Sequence, residues 1–206
     1  MKLIGFPPSP NTSKIMAFAA EIGLPYDLEV VDISKGLART PEFRSRNPFG
    51  RTPYLVDGDL VLAESNAILQ YMAAQKETPL WPSDAAGRAL VMQWQAWSLA
   101  HWAPAGQTLT FERMLRAMFN MGPVDEAAVA KATAAFEAEG AILDAHLAQT
   151  PWLVRGQLSL ADFEVAATLV YAKPAGMPLH KLPNVVAWYD RLAARPSWGN
   201  TLPKIP

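Results

Sequence analysis

The pair Glu64-Ser65 stands directly before an apolar pattern of helical spacing, at Ala67, Ile68 and Met72. A helix begins with backbone N–H groups that have no partner inside the helix, and its dipole is positive at that end. These features suit a bound carboxylate, to which the Ser65 hydroxyl adds a donor, while Glu64 can face an ammonium group. The same residue types also serve as ordinary helix caps, so the pair alone leaves both interpretations open.

A second polar group follows the first apolar run of the chain. Residues 3–6 (LIGF) end at two prolines, and Ser9 with Pro10 then precedes a helical pattern that stops at residues 23–25 (GLP). Serine is a favoured N-cap and proline a favoured first helical residue, which predicts a helix N-terminus at Ser9. A hydroxyl there can accept a hydrogen bond from the backbone and donate another one at the same time.

The elements that position these groups alternate between strand and helix. The patterns predict strands at residues 3–6, 26–33, 52–56 and 60–63, with an Asp57-Gly58 hairpin turn between the last two. Helices are predicted after Ser9, after Pro41 and from Glu64 onward. The first part of the chain therefore has the order β-α-β-(α)-β-β-α and ends near residue 76.

Beyond a proline-bracketed linker at residues 78–82 (TPLWP), only helical patterns remain. They predict helices at residues 84–103, 124–149, 159–171 and 184–195. Ser159 and Asp162 have the spacing of a capping box, which we interpret as structural. A mixed segment followed by helices alone predicts two domains, at residues 1–78 and 84–206.

Composition narrows the class of protein further. The 206 residues carry a formal net charge of -1 and no cysteine, and 50 % of them are hydrophobic. This balance gives no electrostatic basis for binding nucleic acid or an anionic membrane. Without cysteine there are no disulfides, thiolate metal sites or protein thiol nucleophiles. The first apolar run is too short for a signal-peptide core or a membrane span, so we expect a soluble cytoplasmic protein. We also expect no metal cofactor.

Four segments, taken in order, carry a resemblance to a known family. They are residues 6–12 (FPPSPNT), 47–55 (NPFGRTPYL), 64–68 (ESNAI) and 159–162 (SLAD). In this order and spacing the chain resembles the cytosolic glutathione transferases over nearly its whole length, and the early serine resembles their serine-type, bacterial-like branches. The resemblance implies an α/β thioredoxin-like N-terminal domain followed by an all-α helical domain.

The resemblance also implies a site for glutathione as co-substrate, at Ser9, Arg39, Arg51, Thr52, Pro53, Glu64 and Ser65. In the family, the pair Glu64-Ser65 holds the γ-glutamyl end of glutathione. Thr52 precedes a cis proline and pairs its backbone with the cysteinyl part, like an added strand. Only about 5 % of X–Pro bonds are cis, so the expectation of a cis bond depends on the resemblance alone.

Arg39 and Arg51 stand where related enzymes place basic or amide groups for the glycine carboxylate. A guanidinium can pair a carboxylate through two hydrogen bonds. The alternative is a pair of solvated surface arginines, and Arg51 is the stronger candidate because it adjoins Thr52.

The resemblance implies that Ser9 donates a hydrogen bond to the glutathione sulfur and stabilises the thiolate. Asn11, at a position where another branch uses a polar residue or cysteine, is the rival donor. The absence of a tyrosine near the first strand argues against a tyrosine-type mechanism. The absence of cysteine excludes a mixed disulfide with the protein.

A second, apolar substrate site is implied at Trp102, Phe111 and Met114. Trp94 and Trp97 have the helical spacing of large core residues and are expected in the core instead.

The expected function is a glutathione transferase that activates the thiolate for attack on a small apolar electrophile in detoxification. Two alternatives stay open: a glutathione-dependent disulfide or peroxide reductase, and a non-catalytic binding protein of the same fold. The family implies a homodimer, and nothing supports a partner among nucleic acids or membranes. The sequence does not identify the electrophile, because variable loops and apolar side chains form such sites.

Overall fold

A computed structural model describes residues 1–203, apart from the side chain of Ser34. The described residues form two compact units, one of Met1–Trp81 together with residues 195–203, and one of Pro82–Ala194. The sequence patterns place the division at residues 1–78 and 84–206, so the structure groups the C-terminal segment differently, with the first unit.

The first unit is built on a four-stranded sheet in the order β2-β1-β3-β4. The strands are β1 (Lys2–Gly5), β2 (Asp27–Val30), β3 (Tyr54–Asp57) and β4 (Leu60–Ala63). The pair β1–β2 is parallel, while β1–β3 and β3–β4 are antiparallel. The turn at residues 57–60 contains Gly58 at φ 58°, a left-handed conformation that glycine adopts without steric cost.

Three helices accompany this sheet: α1 (Pro10–Ile22), α2 (Pro41–Arg46) and α3 (Ser65–Ala74). Helix α1 ends at Gly23, whose φ of 62° provides the left-handed C-cap expected from the sequence. Helices α1 and α3 pack against each other. This mixed sheet with helices, followed by helices alone, confirms the predicted fold class.

The second unit is helical, with α4 (Ala85–Trp97), α5 (Ala103–Thr110), α6 (Arg116–Met118), α7 (Glu126–Leu147), α8 (Leu160–Ala166) and α9 (Pro183–Ala193). Helices α4 to α6 are continuous through two π-helical turns, at Ser98–Trp102 and Phe111–Leu115. The predicted end at residue 103 is therefore wrong. Pro104 lacks an N–H donor and would ordinarily end the helix, but the wider π turn directly before it accommodates the missing bond.

Aromatic side chains fill the interior of the helical unit. Trp94 is buried and donates its indole N–H to the Leu153 carbonyl at 3.0 Å, which confirms it as a core residue. Trp97 is half-buried and donates to Glu139 at 2.9 Å.

The predicted capping box at Ser159 and Asp162 is present at the start of α8. The fully buried Asp162 carboxylate accepts hydrogen bonds from the Ser159 N–H, the Ser159 hydroxyl, the Leu153 N–H and the Trp188 indole. Its position fixes three separate segments of the helical unit, which confirms the structural interpretation.

The C-terminal segment joins the first unit through a short helix, α10 (Pro196–Gly199), that packs against α1. Arg195 and Ser197 both donate hydrogen bonds to the carboxylate of Glu21 on α1. Trp198 is buried, with 1 % of its surface exposed. These contacts are the physical reason why the segment belongs to the first unit.

Candidate functional site

The candidate site lies at one edge of the sheet in the first unit. Ile4 of β1 pairs with Tyr54 of β3, which in turn pairs with Ala63 of β4. Strands β1 and β4 end at this edge and β3 begins there, so the segments next to these three strand ends meet at the same place. They carry the sequence-predicted residues near Ser9, Thr52 and Glu64-Ser65.

Ser9 occupies the N-cap position of α1, and Pro10 is the first helical residue, as predicted. Its backbone is held in place: the N–H donates to the Phe6 carbonyl at 2.8 Å, and the carbonyl accepts from Thr12 and Ser13, both at 2.9 Å. The half-buried Ser9 side chain forms no capping hydrogen bond within the part of the chain described. A hydroxyl is thus fixed at a helix N-terminus with its donor available.

The Thr52–Pro53 peptide bond is cis, which confirms the expectation from the resemblance. The preceding turn is held by Asn47, whose side chain donates to the Arg51 carbonyl at 2.7 Å and accepts from the Phe49 N–H at 3.2 Å. Among residues 1–203, neither the N–H nor the C=O of Thr52 takes part in a hydrogen bond. Thr52 therefore offers an extended ligand a free backbone donor and acceptor.

Helix α3 begins without a side-chain cap in the described structure, since Glu64 at the N-cap position forms none. Elsewhere Thr40 caps α2 and Asp84 caps α4. The Glu64 backbone has φ 68° and ψ 114°, a conformation that is costly for a residue with a Cβ. Such strain is concentrated at functional positions, and here it presents the open first turn of α3 at the sheet edge.

Two polar contacts join the first turns of α1 and α3. The Ser65 hydroxyl donates to Asn11 Oδ1 at 3.4 Å, and Lys14 Nζ donates to Asn66 Oδ1 at 2.8 Å. The sequence reasoning did not identify Lys14 or Asn66. The spacing of Asn11 and Lys14, three residues apart, was the available signal, since it places both on one helix face.

Arg39 and Arg51 are both exposed near the same edge. Arg51 directly precedes Thr52. A Cβ atom at Gly50 would lie 3.4 Å from the Ala38 carbonyl oxygen, so the segment that carries Arg39 passes close to this turn. Within the described structure neither arginine forms an ion pair, and both guanidinium groups are available to an anion.

The three residues predicted for the apolar substrate site differ in burial. Trp102 is fully buried, donates to the Val165 carbonyl at 3.2 Å and stacks on Phe136 with ring centroids 4.3 Å apart. This packing makes Trp102 a core residue of the helical unit and accounts for its burial. Phe111 and Met114 are half-buried on the second π-helical turn.

Two further features bear on what the protein can bind. Over residues 1–203, no group of three or more histidine, aspartate or glutamate side chains is arranged to hold a metal ion. No described helix combines the length and apolar character required to cross a bilayer.

The edge of the sheet can therefore bind a short peptide-like ligand. The first turn of α3 suits a carboxylate, Thr52 suits an extended backbone, and two arginines suit a second anionic end. The Ser9 hydroxyl can donate to a polar atom in between.

Both parts of the chain match established family descriptions. Residues 1–74 match "Glutathione S-transferase, N-terminal domain" and residues 126–191 match "Glutathione S-transferase, C-terminal domain". Glutathione S-transferase 3 of Zea mays is 34 % identical over 100 % of this chain and 95 % of its own length.

Solved structures show the same similarity. Glutathione transferase F7 from Populus trichocarpa has a TM-score of 0.89 and 28 % identity, covering 97 % of this chain and 96 % of its own. The theta class enzyme of Xanthomonas axonopodis pv. citri, solved with glutathione bound, has a TM-score of 0.87 and 32 % identity, covering 99 % of this chain and 97 % of its own.

Proposed function

Because this chain belongs to the glutathione S-transferase family, we propose that its first domain, predicted at residues 1–78, binds glutathione along the sheet edge and activates the thiol through Ser9. The chain is a glutathione transferase, an enzyme that uses glutathione as its co-substrate. What we propose is which residues of this chain perform that chemistry.

The γ-glutamyl carboxylate is assigned to the first turn of α3, where the backbone N–H groups donate to it. The Ser65 hydroxyl has a single proton, so it turns from Asn11 Oδ1 to donate to the carboxylate when glutathione binds. Glu64 is assigned to the γ-glutamyl ammonium group. The absence of a side-chain cap within the described part of α3 supports this assignment, because a capped turn would have fewer donors to offer. The helix dipole adds to the binding of an anion there.

The cysteinyl part of glutathione is assigned to Thr52, ahead of Pro53. The unpaired N–H and C=O of Thr52 support this assignment, because two such groups on one residue match the donor and acceptor of an extended peptide. The glycine carboxylate is assigned to Arg51, with Arg39 as a second cation.

The observation that carries the proposal is the Ser9 hydroxyl, which lies at the N-terminus of α1 and caps no backbone group there. An ordinary thiol has a pKa near 8.5, so little thiolate is present at neutral pH. Each unit by which the thiol pKa falls requires about 1.4 kcal/mol of preference for the anion. One hydroxyl donor and a helix N-terminus together supply about 1–3 kcal/mol.

For the electrophile we propose the region of Phe111 and Met114, whose side chains are half-buried. Trp102, the third residue predicted for this site, is fully buried, and we assign it to the core of the helical unit. We further propose that the protein is a cytoplasmic homodimer that acts in detoxification, as its family resemblance implies.

Isothermal titration calorimetry with glutathione tests the proposal, followed by titration of the thiolate absorbance of the bound ligand. We expect binding together with a thiol pKa below that of free glutathione. Binding with an unchanged thiol pKa contradicts activation by Ser9, and absence of binding contradicts the proposed site as a whole.

A further inference from the structure

Helices α1 and α3 are linked by a lysine at each end of their shared interface. At one end, Lys14 Nζ donates to Asn66 Oδ1 at 2.8 Å. At the other end, Lys76 Nζ donates to the carbonyls of Ile22 at 2.6 Å and Gly23 at 3.3 Å. The two lysines differ in their surroundings, since Lys14 is only 3 % exposed whereas Lys76 is exposed.

The chemistry of the first link fixes the side chain of Asn66. An ammonium group can only donate, so Asn66 turns its amide oxygen toward Lys14 and its NH₂ group away from it. A hydrogen bond from a charged donor is stronger than one between neutral groups. Burial of Lys14 strengthens this bond further, because less water competes for it.

Asn66 is the second residue of α3, within the turn that has no side-chain cap in the described structure. The neighbouring residue Ser65 contacts Asn11 on the same face of α1. Two adjacent side chains of the α3 first turn are thus held by two side chains of α1. This arrangement fixes that turn relative to the N-terminus of α1, where Ser9 lies.

We propose that Lys14 is a positioning residue for the γ-glutamyl end of glutathione. Through Asn66 it holds the first turn of α3 in the orientation in which its backbone N–H groups meet the γ-glutamyl carboxylate. The inference depends on the proposed glutathione site and adds a residue that does not touch the thiol.

Three thiols separate this role from a general effect on folding. Glutathione and γ-glutamylcysteine both carry the γ-glutamyl end, whereas cysteinylglycine lacks it. Their Kd values are measured by calorimetry on the wild-type chain and on Lys14→Met, with displacement of glutathione for the weakest ligand. We expect Lys14→Met to raise the Kd of the two γ-glutamyl thiols about tenfold and to leave that of cysteinylglycine within about twofold.

Lys76→Met is the matched control, since it removes the link at the opposite end of the same two helices. We expect it to leave all three Kd values within about twofold of wild type. If it weakens glutathione binding as much as Lys14→Met does, the effect belongs to helix packing in general and the inference is overturned.

Asn66→Ala removes the acceptor of the same hydrogen bond. Because Asn66 is less buried than Lys14, this variant replaces Lys14→Met if the latter does not fold. We expect Asn66→Ala to weaken γ-glutamyl thiols selectively, and the double variant to bind them no more weakly than either single variant. An equal loss for all three thiols, or no loss for glutathione, overturns the inference while wild-type binding stands. Failure of the wild-type chain to bind glutathione overturns the proposed function and this inference together.

Discussion

The Ser65 hydroxyl lies 3.4 Å from Asn11 Oδ1, so the first turns of α3 and α1 are in polar contact. Asn11 is turned toward the turn to which we assign the γ-glutamyl carboxylate. Ser9, two residues earlier, keeps a hydroxyl that caps no backbone group at the helix start. Because Asn11 faces Ser65 whereas the Ser9 hydroxyl has no backbone partner at the helix start, Ser9 is favoured over Asn11 as the donor to sulfur.

Replacement of Ser9 by alanine is expected to affect the thiol and not the affinity. Loss of one hydrogen bond to an anion corresponds to about a tenfold to hundredfold fall in kcat, with the Kd of glutathione within about twofold of wild type. The pKa of the bound thiol, followed by its ultraviolet absorbance, should rise by about 1. Asn11→Ala is expected to raise the Kd and leave the thiol pKa in place, and the reverse pattern would exchange the two roles.

Arg51→Met is expected to weaken binding of glutathione about twofold to fivefold, because its exposed guanidinium pairs the glycine carboxylate in a setting screened by water. The affinity for γ-glutamylcysteine, which lacks that carboxylate, should stay unchanged. Arg44→Met replaces another exposed arginine and serves as the control. Competition binding at low and high salt measures the effect, and an equal loss for both thiols would rule out this assignment.

Asp162 is expected to give the helical unit a characteristic pH dependence. Burial raises the pKa of its carboxyl from 3.8 to about 6, although four hydrogen bonds favour the ionised form. Because the folded state then holds the proton more tightly than the unfolded chain, the contribution of Asp162 to the free energy of unfolding is highest near pH 4 and falls as the pH rises through 6. The fall amounts to about 3 kcal/mol.

Urea denaturation of the wild-type chain and of Asp162→Asn from pH 4 to pH 7 measures this term, since the other carboxylates are common to both. The difference in stability between the two proteins should shrink as the pH rises. Should the variant fail to fold, the carboxyl carbon chemical shift of Asp162 in the wild-type chain reports the titration directly. A midpoint below pH 4 would contradict the expectation.

Glu21 and Arg195 are expected to be energetically coupled. Burial alone would raise the Glu21 pKa, but the hydrogen bonds from Arg195 and Ser197 outweigh burial and lower it. Removing either partner should cost about 1–2 kcal/mol of unfolding free energy, and removing both should cost clearly less than the sum. A double-mutant cycle with Glu21→Gln and Arg195→Met measures the coupling, which should exceed that of a typical exposed surface pair.

Much of the first unit follows from local sequence signals. Apolar runs bounded by proline and glycine predict β1, β3 and β4. Ser9-Pro10 marks the start of α1, where the fixed φ of Pro10 suits the first helical residue although the Ser9 hydroxyl caps no backbone group. The cis peptide bond before Pro53 has no such local signal, so it could be predicted only from the family resemblance.

The remaining features depend on contacts between residues distant in sequence. The helix continues past Pro104 because a π turn absorbs the missing hydrogen bond, which no proline rule anticipates. Trp102 becomes a core residue because its ring stacks on Phe136 of α7, with ring centroids 4.3 Å apart. Lys14 and Asn66 are 52 positions apart, and only the fold brings them together.

The binding of α10 to α1 also constrains the order of events during protein synthesis. Domains generally fold from the N-terminus as the ribosome releases them. Here the segment that covers part of α1 is translated only after the whole helical unit. The Glu21 carboxylate in the nascent first unit therefore stays without its partners Arg195 and Ser197 until the segment at residues 195–203 has been synthesised.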